Sequence, residues 1–148
     1  MNANDYVIIG IGICMDEIKD RIDNRKMVEY LIEQLPDMAE ELRKILNSEE
    51  LLAAFDIEDY MQSTPYYYVA EIFASLDDSH WLCYDDASGG TEYLYFRPVY
   101  PWQIDDACPR SIDEVHQLLI SVISQLTDMT AEEIEAVIDD DLSDWYFG

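Results

Sequence analysis

Gly10-Ile11-Gly12 lies within an apolar run near the start of the sequence and is the first place where phosphate chemistry has to be considered. A dinucleotide-binding loop needs a third glycine three residues on, and Met15 stands there, so the pair reads as close packing or a bulge. His80, Cys83, Cys108 and His116 are the metal-ligand types. On a continuous strand, residues three apart point to opposite faces, so His80 and Cys83 do not converge. No C-x-x-C pair anchors the other two, and His116 reads as a histidine flanking a core stripe. Asp139-Asp140-Asp141-Leu142-Ser143-Asp144 looks like half a calcium loop, but it lacks the glycine at the sixth position and the glutamate at the twelfth. Nucleophile elbows, Walker loops, H-E-x-x-H and kinase motifs are all missing. The expectation is a protein that is not an enzyme, with no metal site and no cofactor.

What the chain has in quantity is carboxylate. Its 148 residues carry 33 Asp and Glu against 8 Lys and Arg, a formal net charge of −25. Such a chain is repelled by phosphate, which argues against direct nucleic-acid binding and against docking on an anionic membrane. The excess is lopsided. Six of the basic residues fall within residues 1–44 beside ten acids, whereas residues 45–148 hold only Arg97 and Arg110 against 23 acids. The acids cluster at Asp77-Asp78, Asp85-Asp86, Asp105-Asp106 and Asp139-Asp140-Asp141, mostly where turns or helix ends are expected to expose them. With an apolar fraction of 49%, the chain can still bury a core, and its length suits one domain. The start of the sequence has no basic stretch of the secretory kind, the apolar run 6–15 is too short to span a bilayer, and three scattered cysteines suggest reduced thiols. A cytoplasmic protein is expected.

The elements that must carry these charges can be read from periodicity. Residues 6–14 alternate as a strand apolar on both faces, which suits a central position in a sheet. Helical spacing follows: Ile18 and Ile22; then Met27, Val28, Leu31, Ile32 and Leu35; then a helix opened by Pro36 with Met38, Leu42, Ile45 and Leu46 inward. Ser48 is placed to cap a short helix through Leu51, Leu52 and Phe55. Thr64-Pro65 signals another start, with Val69, Ile72, Phe73 and Leu76 inward. Residues 80–85 and 91–97 read as a β-hairpin around Ala87-Ser88-Gly89-Gly90. The segment with Pro98, Pro101 and Pro109 reads as a loop. Ser111…Glu114 and Thr130…Glu133 are capping boxes, the first opening a stripe of Ile112, Val115, Leu119, Val122 and Leu126, the second one of Ile134, Val137, Ile138 and Leu142. The predicted fold is α+β: a small antiparallel sheet, from the N-terminal strand and the hairpin, packed with five to seven helices. Ile9, Ile11, Leu119, Val122 and Ile138 are expected among the most buried residues.

A last helix running through residue 142 would set Glu132, Glu135 and Asp139 in one outer row. Their spacing of about 5–6 Å is on the order of the charge spacing along a nucleic-acid strand. Tyr66, Tyr67, Tyr68, Trp81, Tyr84, Tyr93, Tyr95, Tyr100 and Trp102 crowd the same central region as the acids, and Asp144-Trp145 sits near the C-terminus. Rings of this kind anchor interfaces when ringed by polar groups. The candidate partner-binding set is therefore Asp77, Asp78, Asp85, Asp86, Glu92, Asp105, Asp106, Glu132, Glu135, Asp139, Asp140, Asp141, Asp144 and Trp145. The function expected is that of an acidic inhibitor occupying the basic nucleic-acid-binding surface of a partner, in composition resembling anti-restriction or anti-CRISPR proteins of phage. An immunity protein or antitoxin against a basic toxin is the alternative, which a neighbouring toxin gene would favour. A metal-dependent enzyme using clustered carboxylates is the third reading.

Overall fold

The computed structural model describes residues 11–78, 81–86, 91–96 and 111–139. Among the described residues, three strands form the sheet: β1 (Ile11–Cys14), β2 (Leu82–Asp86) and β3 (Glu92–Phe96). Seven α-helices are found among the described residues: α1 (Asn24–Gln34), α2 (Ala39–Leu46), α3 (Glu49–Ala54), α4 (Ile57–Tyr60), α5 (Val69–Ala74), α6 (Ile112–Ser124) and α7 (Ala131–Val137), joined in places by single 3₁₀ turns. The architecture is α+β. Both strand pairs are antiparallel, in the order β1-β3-β2, with Ile11 opposite Phe96 and Leu82 opposite Phe96 in the same row.

This order corrects one expectation. β1 is not central; β3 is. The outer edge of β1 is nevertheless covered, because Gly12 exchanges two backbone hydrogen bonds with Asp139, 3.0 Å and 2.8 Å long. Gly12 therefore spends its N–H and C=O outward, and its pairing with Tyr95 is of the kind without hydrogen bonds, which brings Cβ positions closest. A Cβ built on Gly12 would lie 2.6 Å from the Leu94 carbonyl oxygen and 2.6 Å from Tyr95 Cβ. Close packing is the reason for this glycine. Ile9 and Gly10 lie outside the described residues.

The sheet's inner face, Ile11, Ile13, Leu82, Leu94 and Phe96, is buried. α5 lies against β2 and β3, and α6 against β1. The buried cluster runs without a break from Ile11 to Ile134 and includes Leu119 and Val122 as expected. Local capping chemistry holds the helices in register. Asp23, Ser48 and Asp56 accept backbone N–H groups at the starts of α1, α3 and α4, Ser111 accepts from Glu114 N–H on α6, and Thr130 and Glu133 make the full reciprocal box on α7.

Three further expectations are corrected. Thr64-Pro65 does not open α5; Thr64 closes the preceding turn, its hydroxyl donating to the Met61 carbonyl at 2.8 Å, and the helix begins at Val69. Ile112 is 56% exposed, since it occupies the first helical position before α6 meets the sheet. The last helix ends at Val137: Ile138 turns extended (ψ 132°) so that Asp139 can reach Gly12, and Ile138 is half-buried rather than core. Leu142 and the proline-containing segment lie outside the described residues.

Candidate functional site

The end of α7 at Val137 removes the carboxylate row. Glu132 and Glu135 stay exposed on the helix, but Asp139 sits beyond it on an extended backbone and does not continue the line. Glu135 faces His116 across the α6–α7 contact, Oε1 to Nδ1 3.7 Å. Asp139 keeps an exposed side chain while its backbone completes the sheet edge.

Two of the expected partner-binding acids are interior. Asp77 is 3% exposed; its Oδ2 accepts the backbone N–H groups of Trp81 at 2.7 Å and Leu82 at 2.8 Å, so it holds the entry to β2. Glu92 is buried as well. Its Oε1 accepts from Ala70 N–H at 3.0 Å and its Oε2 from Lys19 Nζ at 3.1 Å. Tyr68 offers α5 no side-chain cap, and Glu92 reaches over from β3 to replace one. A buried carboxylate needs such partners, and both have them. Asp78 is exposed, as expected. Asp85 and Asp86 lie on β2 in register with Tyr93 and Glu92. Asp105, Asp106, Asp140, Asp141, Asp144 and Trp145 lie outside the described residues, as do His80 and Cys108.

The cations explain how the charge is distributed. Lys19 bridges Glu58 and Glu92, both at 3.1 Å. Arg21 clamps Asp128 at 2.7 Å and Glu133 at 2.8 Å, and this pairing holds the Glu133 carboxyl down at about 2. Lys26 donates to the carbonyls of Ser124, the last residue of α6, and of Thr127 just beyond it. Three of the basic residues near the N-terminus are thus spent stapling that end to the C-terminal half. Arg25, Lys26, Arg43 and Lys44 are the exposed cations without an ion pair among the described residues, Lys26 making only its bonds to carbonyls.

Many acids have local work. First turns carry Glu40 and Glu41 on α2, Glu49 and Glu50 on α3, Glu58 and Asp59 on α4, Asp113 and Glu114 on α6, and Glu132 and Glu133 on α7. Each is favourable beside the positive end of a helix dipole. The same logic would place Lys or Arg in last turns, yet among the α-helices only α2 has them. Helix stabilisation accounts for acids being present, and it leaves the shortage of bases unexplained.

A surface missed by sequence reading gathers around Lys19. An open cleft of about 430 Å³ is lined by Lys19, Glu58, Met61, Tyr66, Tyr67 and Glu92 among others. A second, of about 510 Å³, shares Lys19 and Glu58 and adds Asp20 and Asp56. Tyr67 is 86% exposed, and its backbone N–H is held by Glu71 Oε1 at 2.9 Å. Tyr84 packs against Tyr68 with ring centroids 5.9 Å apart, and burial followed by the Glu71 carboxylate pushes its hydroxyl above the ordinary tyrosine value. The run Tyr66-Tyr67-Tyr68 was the available signal; which ring faced outward was not written in it.

Chemistry of other kinds has less support here. Burial pushes the Cys14 thiol up, away from a reactive thiolate. Among the described residues, no group of three or more His, Cys, Asp or Glu is placed to hold a metal ion, and no helix is long and apolar enough to cross a membrane. No family model, curated protein or solved structure matches the chain.

Proposed function

We propose that this protein is a non-enzymatic acidic inhibitor that occupies the basic, nucleic-acid-binding surface of a partner protein, in the manner of anti-restriction or anti-CRISPR proteins. The observation that carries the reading is the uncompensated field. The net charge is −25, Lys19, Arg21 and Lys26 are committed to internal bonds, and outside α2 the last turns of the described α-helices lack the bases that would balance the acids at first turns. Self-repulsion of this size destabilises a compact domain, so a function that uses the field favours keeping it. The work is done by charge and shape together: the field speeds encounter, aromatic contacts slow dissociation, and the partner's groove is filled where nucleic acid would lie.

The test is a pull-down from the source organism's lysate washed at low and high salt, followed by competition between the protein and nucleic acid for the captured partner. Mutually exclusive binding supports the reading, and a ternary complex refutes it. Replacing Asp139, Asp140 and Asp141 together with Asn removes three charges at constant size. At about 0.3–1 kcal/mol for each charge, affinity should fall by roughly five- to a hundred-fold, mainly through slower association.

A further inference from the structure

The cleft around Lys19 brings together two tyrosines, a carboxylate already held in place and a second that is exposed. We propose that it is the docking point for arginine side chains of the basic partner, an inference that rests on the inhibitor reading above. Tyr66 and Tyr67 line the cleft, with the largely buried Met61 and Val69. Lys19 is outnumbered there by Glu58 and Glu92, so the cleft is net negative despite its lysine. The two carboxylates have separate duties. Glu92, with a side chain 12% exposed, is enclosed and caps α5; Glu58, 54% exposed, gives Oε1 to Lys19 and turns the rest of its carboxylate to solvent.

Tyr67 is the most exposed large ring among the described residues. Its backbone is fixed by Glu71, so the ring projects from an ordered segment rather than a loose one. A guanidinium is planar, stacks on a tyrosine face and donates in a fork to a carboxylate; an ammonium does neither as well. The second cleft continues past the Lys19–Glu58 pair with Asp20 and Asp56, so a segment with two arginines can follow the groove from one side of the pair to the other.

The probes are nona-arginine and nona-lysine peptides of equal charge, titrated against the full chain by fluorescence anisotropy at two salt concentrations. Docking as described gives nona-arginine about three- to tenfold tighter binding. Tyr67→Ala and Glu58→Gln each erase that preference while leaving nona-lysine binding within about twofold, because a general field does not depend on one ring. Both positions are exposed, and thermal melts confirm the variants fold. Equal binding of the two peptides, with salt dependence intact, overturns the docking point and leaves the inhibitor reading standing. Absence of salt-sensitive binding by either peptide overturns both. A dimer that shields Tyr67 would also refute the proposal, and sedimentation of the free chain detects it.

Discussion

Replacing Glu92 separates an interior acid from the surface charge that surrounds it. Glu92→Ala removes the acceptor that β3 supplies to the start of α5 and leaves Ala70 N–H without the carboxylate it donates to. Losing a cap costs about 1 kcal/mol, and an orphaned buried donor about 1–3 kcal/mol, with some overlap between the two. Lys19 loses one of its two carboxylates but keeps Glu58 and some access to water, which adds about 1 kcal/mol rather than the 3–5 of a fully buried pair. The sum is about 2–4 kcal/mol, a drop in Tm of roughly 5–15 °C for a chain of this length. Removing a negative charge also relieves repulsion, which acts in the opposite direction. Glu58→Gln supplies the control, since it deletes the same charge from the same cation on the exposed side and should leave Tm within about 2 °C. Calorimetry and urea unfolding of both variants read the difference. If Glu92→Ala melts with Glu58→Gln, the carboxylate is not doing structural work and the assignment of Glu92 to the interior framework fails.

Gly12→Ala should destabilise by about 1–3 kcal/mol, because the new methyl meets Leu94 and Tyr95 while the bonds to Asp139 keep β1 from retreating; urea unfolding measures it. The Arg21–Glu133 pair predicts a pH effect. Glu133 sits at about 2 when folded against an ordinary 4.5, so its contribution is complete above the ordinary value and is lost as pH falls toward about 2. Arg21→Gln should return that carboxyl toward the ordinary range, visible in an NMR titration, and flatten the acid limb of stability. Tm should rise between roughly 10 and 150 mM salt as screening shortens the repulsion; a flat or falling Tm would show that the charges are already compensated.

What could be read from the chain was what is decided locally. Ser48, Ser111 and Thr130 announce their helices because the cap and its acceptor are within three residues. The antiparallel pairing of β2 with β3 follows from two strand-like runs close together in the sequence. Asp77 and Glu92 were misread because the donors that draw them inside come from Trp81, Leu82, Ala70 and Lys19, and only folding brings those groups near. The early end of α7 was hidden for a related reason. Neither Gly nor Pro follows Val137, and what stops the helix is the pull of a strand edge at Gly12. Thr64-Pro65 misled in the other direction, since the same hydroxyl that opens helices also closes turns.

The bridge between Gly12 and Asp139 joins positions more than a hundred residues apart, and β1 pairs with β3 across some eighty. Closing loops of that length is entropically costly and slow, so the outer edge of β1 is among the last parts of the sheet to be covered. Until Asp139 arrives, the strand presents open N–H and C=O groups to any second chain, the arrangement from which swapped dimers and aggregates grow. During synthesis that interval lasts at least until Asp139 has been made, more than a hundred residues after β1. The charge that is costly in the finished fold has its opposite value then: emerging copies repel one another while the edge is bare, and each has time to complete its sheet alone.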